Sequence, residues 1–202
     1  MTVAKGMTLK GLAKKYGVDV FDIASFNGIA QDTQLSVGDE LIIPDGIIVD
    51  DGGNKPKSIN SGKSYYQTRY LADVAGYFMN PVPGAKLSQG FHGSNSVDLA
   101  ITRGTPILAA APGTVIFARM GWNGAYGGLV IINHSNGTQT LYAHQSKIVT
   151  RAGNQVSQGE VVGYVGSTGR STGSHVHLEI HGAKNPAAFL PTGVHLDANW
   201  KY

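Results

Sequence analysis

An alternating run of residues occupies positions 173–179 and reads Gly173-Ser174-His175-Val176-His177-Leu178-Glu179. Residues two apart on a β-strand project from the same face, so His175 and His177 would stand side by side, with roughly 6–7 Å between their Cα atoms. Two imidazoles at that separation can serve one small site, in which one binds a metal and the other handles protons. The alternative is a pair of surface histidines without a role, and the rest of the chain is needed to weigh the two.

The surrounding sequence is typical of a β domain. The 202 residues include 28 glycines, which cluster around short runs rich in valine and isoleucine. This pattern favours strands joined by tight turns. The predicted strands are Val97–Ile101, Pro106–Ala110, Gly113–Ala118, Leu129–Asn133, Thr138–Ala143, Val161–Val165 and His175–His181. Such spacing, with few helical stretches, predicts a mainly β fold built on an antiparallel β-sheet.

The composition excludes several classes of protein. The chain has no cysteine, so disulfides and thiolate metal sites are excluded, and any metal must be held by His, Asp and Glu. A net charge of +3 without a basic run interleaved with aromatic residues argues against nucleic-acid binding. No apolar run reaches 18 residues, so we expect no membrane span. No signal peptide precedes the first module, which leaves open a cytoplasmic chain or a part of a longer exported protein.

Residues 1–44 have the pattern of a compact βααβ unit. After a short first strand, Thr8 is a candidate N-cap for a helix over residues 9–16. A second helix is predicted over residues 19–26, and a strand over residues 41–43 closes the unit. Taken alone, these patterns indicate only a small α+β module.

Four blocks of this unit resemble the LysM domain. They are Lys5-Gly6-Met7-Thr8-Leu9, Ala13-Lys14-Lys15-Tyr16-Gly17-Val18, Phe26-Asn27-Gly28-Ile29 and Val37-Gly38-Asp39-Glu40-Leu41-Ile42-Ile43-Pro44. The resemblance implies a domain over residues 1–45 that binds glycans containing N-acetylglucosamine, chiefly peptidoglycan and chitin.

A linker is predicted over residues 46–63, which are rich in Gly, Asp, Asn, Lys, Ser and Pro and show no apolar periodicity. The second domain then covers residues 64–202. Aromatic residues near its start are Tyr65, Tyr66, Tyr70, Tyr77 and Phe78. They could pack as a strap on the domain or help to line a groove, and we expect packing.

Five residues are candidates for one site, namely His92, Asp98, His144, His175 and His177. A hydrolytic zinc site generally needs three protein ligands and an open position for water. His92, Asp98 and His177 would form a histidine and carboxylate set that suits Zn²⁺. His144 and His175 would then be left for proton transfer and for steadying the tetrahedral oxyanion.

The remaining titratable residues are weaker candidates. His134 and His195 lie in turn-like or tail sequence, and we expect both at the surface. Glu179 and His181 share the strand face of His177 if the alternation continues. Glu179 could therefore support a metal ligand from behind, or it could simply pack or lie in solvent. The chain has no cysteine nucleophile and no Walker A loop.

The second domain resembles the M23 (LytM/lysostaphin-type) zinc metallopeptidases from about Gly76 through Pro191. The blocks that carry the resemblance are Val97-Asp98-Leu99-Ala100, Gly104-Thr105-Pro106-Ile107, Gly113-Thr114-Val115, Tyr126-Gly127-Gly128, Leu141-Tyr142-Ala143-His144, Gly159-Glu160-Val161-Val162-Gly163, Gly166-Ser167-Thr168-Gly169 and His175-Val176-His177-Leu178-Glu179. The resemblance implies endopeptidase cleavage of peptidoglycan stem or cross-bridge peptides. It matches Asp98 and His177 to zinc ligands, and His144 and His175 to the catalytic pair.

One position departs from the family pattern. The usual motif places its first histidine four residues before the aspartate, where this chain has Ser94, and the nearest histidine is His92. In an extended chain, six residues would hold His92 ~20 Å from Asp98, so the intervening residues 93–96 must fold back. Their types suit a turn, and the stretch also resembles a subset of the family with a longer loop. We therefore assign His92 as the third ligand; the alternative is a degenerate site.

The two domains together predict a zinc endopeptidase that a LysM module targets to the cell wall, located in the cell envelope or secreted. The alternative is a catalytically inactive LytM-type regulator that activates cell-wall amidases, because the same arrangement resembles such proteins. Regulators of that kind lack several of the site residues, whereas this chain retains His144, His175, His177 and Asp98. The sequence leaves open whether a glycyl-glycine or a D-alanyl-diaminopimelate bond is cut, and it leaves the oligomeric state open.

Overall fold

The computed structural model describes residues 1–16, 20, 23–24, 27, 29–39, 41, 43, 74–92, 95–121, 123 and 125–201. The chain divides into two compact units, Met1–Tyr65 and Tyr66–Tyr202. The predicted linker over residues 46–63 lies outside the described residues, as do Tyr65, Tyr66 and Tyr70.

The first unit contains helix α1, Leu9–Tyr16. The predicted N-cap is confirmed, because the Gly11 N–H donates to the Thr8 Oγ1 at 3.1 Å and so satisfies one of the free amides of the first turn. The helix buries Leu9 and Leu12 in a small apolar cluster. The predicted second helix and closing strand fall largely on residues that the structure does not describe. No helix in the described part of the chain is long and apolar enough to cross a membrane.

The second unit confirms the predicted antiparallel β fold. Its strands are β1 Lys86–His92, β2 Ser96–Ala100, β3 Pro106–Leu108, β4 Gly113–Arg119, β5 Gly128–His134, β6 Gln139–Gln145, β7 Lys147–Ile148, β8 Gln155–Val156, β9 Val161–Tyr164 and β10 His175–His181. A seven-stranded sheet has the order β1-β2-β10-β6-β5-β4-β8, and a three-stranded sheet has the order β3-β9-β7. Every pairing between these strands is antiparallel.

Strand β10 shows how the sequence pattern divides the two faces of the large sheet. Val176, Leu178 and Ile180 are fully buried in the main core. Because successive side chains on a strand alternate between faces, His175 and His177 project from the opposite face. The predicted site residues of this strand therefore lie together on the side away from the core.

The predicted packing of the aromatic strap is confirmed for the two members that the structure describes. Phe78 is buried in the main core, and Tyr77 packs against it edge-to-face with 5.0 Å between ring centroids. Trp200 from the other end of the unit donates its indole N–H to the Phe78 carbonyl oxygen at 2.9 Å. Residues close to both ends of the second unit thus close its core.

Candidate active site

The register between β2 and β10 places Asp98 directly opposite His177. Directly opposed residues on antiparallel strands hold their side chains on one face, about 5 Å apart at Cβ. The His177 Nδ1 consequently lies 2.9 Å from the Asp98 Oδ1. His175 lies two residues along the same face, and its Nε2 is 3.8 Å from the same oxygen. Two strands that are far apart in sequence thus supply three of the five predicted site residues.

His92 reaches the site because β1 and β2 are adjacent antiparallel strands. The chain reverses direction between His92 and Ser96, which form the last pair of this register, and Asp98 lies on the same face as Ser96. The His92 Nε2 lies 3.4 Å from the Asp98 Oδ1. The His92 Nδ1 is 2.7 Å from the Gly90 carbonyl oxygen, to which it can donate, and this leaves Nε2 to face the carboxylate. His92 and Asp98 therefore lie close together, as a shared metal site requires, although they are six residues apart in sequence. Gly93 and Ser94, between them, lie outside the described residues.

The donor atoms of His92, Asp98 and His177 all lie within 4.8 Å of one another. Within the described ranges, this is the one group of three or more His, Cys, Asp or Glu side chains placed closely enough to hold a metal ion. The three side chains are partly accessible, at 24%, 15% and 15% of their surface. Two imidazole nitrogens and a carboxylate oxygen with access from a cleft are a donor set that suits zinc. The residues present therefore fit the ion, and their role as ligands stays a prediction.

His144 joins the cluster through an unusual backbone conformation. Tyr142, two residues earlier on β6, points into the core, so simple alternation would send His144 there as well. Instead, the backbone of His144 has φ of 60°, and its ring lies 4.7 Å from the His175 ring. A left-handed conformation in a residue other than glycine costs about 1–3 kcal/mol and persists where the surroundings enforce it. The His144 Nδ1 is held 2.8 Å from the Thr168 carbonyl oxygen, so its Nε2 is left for chemistry.

Glu179 lies beneath the cluster and is 1% exposed. Its Oε1 accepts from the Tyr126 hydroxyl at 2.8 Å and lies 3.0 Å from the His177 Nε2, while its Oε2 lies 2.7 Å from the His181 Nε2. The sequence left open whether Glu179 supports a metal ligand, packs in the protein or lies in solvent, and its burial excludes the last of these. By accepting from the His177 Nε2–H, the carboxylate leaves the Nδ1 of that ring as the nitrogen that faces Asp98.

The electrostatics of the site follow from burial and from these partners. Burial alone would raise the pKa of Asp98, but hydrogen bonds with His177 and His92 outweigh it and hold that pKa well below its usual range. Burial would lower the pKa of His177, yet its hydrogen bonds to Asp98 and Glu179 raise it to about 9 in the metal-free protein. Burial lowers the pKa of His144 to about 4, against a smaller opposing effect of the Thr168 carbonyl. His144 is therefore a neutral imidazole at pH 7.

The five predicted residues line one cleft with a volume of about 390 Å³, which is within the usual range for ligand-binding clefts. The rest of the lining includes residues without a predicted role, which are Gln89, Ala125, Tyr126, Arg170, Ser171 and Thr172. Tyr126 and Thr168 belong to blocks that carry the family resemblance, but nothing in their spacing indicates that Tyr126 would reach Glu179 or that Thr168 would orient His144.

The prediction for His134 was wrong, whereas the prediction for His195 is confirmed. His134 is the last residue of β5 and is 4% exposed, because it pairs with Gly113 of β4 within the sheet. Its Nδ1 lies 2.8 Å from the Pro112 carbonyl oxygen, and its Nε2 lies 2.9 Å from the Thr140 Oγ1. The turn residues that follow it, Ser135 to Gly137, suggested exposure, but the strand extends one residue further than the pattern indicates. His195 is exposed, as expected.

Two families account for most of the chain. Residues 92–189 match peptidase family M23, and residues 1–44 match the LysM domain. The order of the two domains and the two families are those that the sequence blocks predicted.

Individual relatives match different shares of the chain. The DD-carboxypeptidase/endopeptidase Mpg of Neisseria meningitidis is 44% identical over 127 residues, which are 60% of this chain and 27% of that protein. The peptidoglycan DD-endopeptidase ShyA of Vibrio cholerae is 41% identical over 87 residues, 43% of this chain and 20% of that protein. The uncharacterized lipoprotein YgeR of Escherichia coli is 28% identical over 211 residues, 94% of this chain and 80% of that protein. The chain thus spans only 27% of the length of the Neisseria relative.

Proposed function

We propose that this chain, which carries a LysM domain at residues 1–44 and belongs to peptidase family M23 through residues 92–189, is a zinc-dependent endopeptidase that hydrolyses peptidoglycan peptides. The observation that carries the proposal is the convergence of His92, Asp98 and His177 with a second pair of histidines in one cleft. The names of Mpg and ShyA, an endopeptidase and a peptidoglycan endopeptidase, support the same reaction class.

In this proposal His92, Asp98 and His177 hold the metal ion. Zinc held there would supply Lewis acidity, which lowers the pKa of water towards ~7 and would polarise the scissile carbonyl. The chain's part is to present these three groups together. Glu179 holds the His177 ring through its Nε2 at 3.0 Å, and the Gly90 carbonyl oxygen holds the His92 ring through its Nδ1 at 2.7 Å. Each imidazole is therefore fixed at one nitrogen, and the other nitrogen is directed at Asp98.

His144 and His175 handle protons. Each donates its Nδ1–H to a backbone carbonyl oxygen, that of Thr168 at 2.8 Å for His144 and that of Gly173 at 2.9 Å for His175. The Nε2 atoms remain to take up the proton of the attacking water, to return it to the leaving amine and to steady the oxyanion. Burial keeps His144 neutral at pH 7, since its pKa is about 4, so a nitrogen lone pair is present when the substrate arrives.

The LysM domain would bind the glycan strands of the same polymer. Tethering a catalytic domain to its substrate turns cleavage of nearby peptides into an intramolecular encounter and raises their effective concentration. The proposal places the protein in the cell envelope or outside the cell, where peptidoglycan lies. The name of the E. coli relative, a lipoprotein, supports this location.

Digestion of purified peptidoglycan, followed by mass spectrometry of the soluble fragments, tests the proposal. We expect fragments cut within peptides, loss of their release after metal chelation, and recovery when zinc is returned. A His144→Ala and His175→Ala double variant serves as the matched inactive protein. If the wild-type protein with stoichiometric zinc releases no fragments from any peptidoglycan but stimulates a cell-wall amidase, the regulatory alternative is correct and the proposal fails.

A further inference from the structure

One wall of the cleft carries a cation that the mechanism above does not use. Arg170 lines the same cleft as His144, His175 and His177, and it is exposed to solvent. An arginine guanidinium is a cation that presents several N–H donors in a planar fork. An exposed guanidinium is stable in water, and in a substrate cleft it can also pair with an anionic group of the protein or of the ligand.

Among the residues that the structure describes, no acidic side chain supplies that partner. The two carboxylates of the cleft are both engaged by histidines, Asp98 by His92, His175 and His177, and Glu179 by His177 and His181. Glu179 is also buried and accepts a hydrogen bond from Tyr126. Within the described part of the chain, Arg170 forms no ion pair with an acidic side chain. The charge of the guanidinium is therefore left for a ligand.

The backbone beneath Arg170 is anchored. Its N–H donates to the Ala125 carbonyl oxygen at 2.8 Å. Gly169, with φ of 71°, lies so close to the opposing loop that a Cβ there would collide with the Ala125 carbonyl oxygen and the Gly127 amide. Thr168 is tied to the start of strand β5 by the Gly128 N–H, which donates to its Oγ1 at 2.9 Å. Only glycine at position 169 permits so close a contact with the opposing loop. This contact fixes the point on the wall of the cleft from which the Arg170 side chain extends.

The same anchored segment orients the catalytic pair. The Thr168 carbonyl oxygen lies 2.8 Å from the His144 Nδ1, two residues before Arg170. The Ser171 Oγ donates to the Gly173 carbonyl oxygen at 2.8 Å and lies 3.4 Å from the His175 Nδ1, one residue after Arg170. The base of the arginine side chain thus has a fixed position relative to the two histidines that act on the scissile bond. A group held by Arg170 would belong to a residue beside that bond.

We propose that Arg170 binds a free carboxylate next to the scissile bond, so that the enzyme selects anionic peptides over uncharged glycine bridges. This inference rests on the proposed function and names its substrate class. A guanidinium pairs with a carboxylate through two parallel charge-assisted hydrogen bonds, which a glycyl peptide cannot reproduce. The carboxylate could be the side-arm carboxylate of a diamino acid or the α-carboxylate at the end of the peptide chain.

Matched synthetic cross-linked peptides separate these two sources. One set carries the side-arm carboxylate either free or amidated, and a second set carries the terminal carboxylate either free or amidated. For the zinc-loaded full chain we expect kcat/KM to be about 10- to 100-fold higher with the recognised carboxylate free, the range that hydrogen bonds to charged groups supply. The preference should lie mainly in KM, because the group binds substrate and takes no part in proton transfer.

Substitution of the arginine then tests its role. Arg170→Gln should reduce the ratio of free to amidated rates to near one, Arg170→Lys should retain part of it, and Arg170→Glu should invert it. Arg103→Gln, which removes an exposed arginine outside the cleft, should keep the full preference. Binding of the same peptides to the His144→Ala protein and to its Arg170→Gln double variant gives a second measure that does not need turnover.

The outcomes separate this inference from the proposed function. If the wild-type protein cleaves no peptide of either set and no glycine-bridged peptide either, the proposed function fails. If it cleaves free and amidated peptides equally, or prefers glycine bridges, the enzyme stands and the inference about Arg170 is wrong. A preference that survives in Arg170→Gln also overturns it.

Discussion

Asp98 and His177 lie directly opposite each other on neighbouring antiparallel strands, with 2.9 Å between Oδ1 and Nδ1. The pair depends on the register between β2 and β10 and on nothing local, since 79 residues separate the two in sequence. A slip of one residue would turn one of them to the other face of the sheet. The buried Val176 and Leu178 prevent that slip, so the core fixes the geometry of the site.

The first prediction concerns the metal. His92→Ala, Asp98→Ala and His177→Ala should each lose most of the bound zinc, because a three-ligand site reduced to two no longer holds the ion or activates water. Peptidase activity should fall below a tenth of the wild-type rate. Zinc content measured by elemental analysis, together with fragment release from peptidoglycan, checks both parts.

Two substitutions control for this prediction. His195→Ala removes an exposed imidazole outside the cleft, and Ser94→Ala changes the position where the family motif usually has its first histidine. Both variants should keep zinc and activity. A His92→Ala protein that retains stoichiometric metal and full turnover would contradict the assignment of His92.

The second prediction separates proton handling from metal binding. His144→Ala and His175→Ala should each lower turnover by about 10²–10⁴-fold, the usual effect of removing a general acid or base. Zinc content should stay near that of the wild-type protein, because neither side chain belongs to the metal-binding group. Loss of zinc in His144→Ala would show that ligand and catalyst have been assigned the wrong way round.

The sequence could predict the parts of the site that depend on short-range periodicity. His175 and His177 lie two apart on one strand, and all seven strands predicted from short apolar runs between turns are present. Strand β1 was missed because its register with β2 shifts twice and only Leu87 is buried, so its sequence shows no alternation. The strands β7 and β8 have two residues each and are too short to show a pattern.

The parts that could not be predicted depend on backbone irregularity and on distant pairing. Alternation alone would send His144 into the core beside Tyr142, and only its φ of 60° turns it to the cleft. Glu179 could be placed on the correct face from the sequence. Its contact with Tyr126 could not, because Tyr126 lies 53 residues earlier and approaches through a loop.

The third prediction concerns Glu179 as a positioning residue. Glu179→Ala should weaken zinc binding by about 10- to 100-fold, the usual effect of removing a group that orients a metal ligand. Glu179→Gln keeps an acceptor for the His177 Nε2–H and should be affected less. Tyr126→Phe removes one hydrogen bond to the same carboxylate but leaves both histidine contacts, so it serves as the milder comparison. Competition for zinc with a chromogenic chelator measures the affinity of each variant and of the wild-type protein. Zinc affinities in all three variants equal to that of the wild-type protein would exclude the positioning role.

The fourth prediction concerns the N-terminal module. A fragment that ends near residue 53 should sediment with insoluble peptidoglycan or bind chito-oligosaccharides, because residues 1–44 form a LysM domain. A chain that begins at Lys63 should sediment less than the full chain. If both sediment equally with cell walls, the module is not the anchor, whatever the second domain cleaves.

The fifth prediction concerns His134, which lies in a hydrogen-bonded chain away from the cleft. The Ala110 N–H donates to the Tyr142 hydroxyl, which donates to the Thr140 Oγ1, and this hydroxyl can in turn donate to the His134 Nε2. The His134 Nδ1–H then donates to the Pro112 carbonyl oxygen. Every donor in this chain has an acceptor only if His134 is neutral, and burial lowers its pKa below the usual 6.5, against a smaller opposing effect of that carbonyl.

Because the folded-state pKa of His134 lies below that of the unfolded chain, the unfolded chain binds more protons as the pH falls through about 6.5. The contribution of neutral His134 to the free energy of unfolding is therefore fully present above that pH and is lost below it. Thermal unfolding of the wild-type protein and of His134→Asn, which keeps a donor for the Pro112 carbonyl oxygen but does not titrate, should be compared from pH 8 to pH 5. The melting temperature of the wild-type protein should fall more steeply below pH 6.5, since other histidines titrate equally in both. Parallel profiles across the whole range would exclude the predicted coupling between the protonation of His134 and folding.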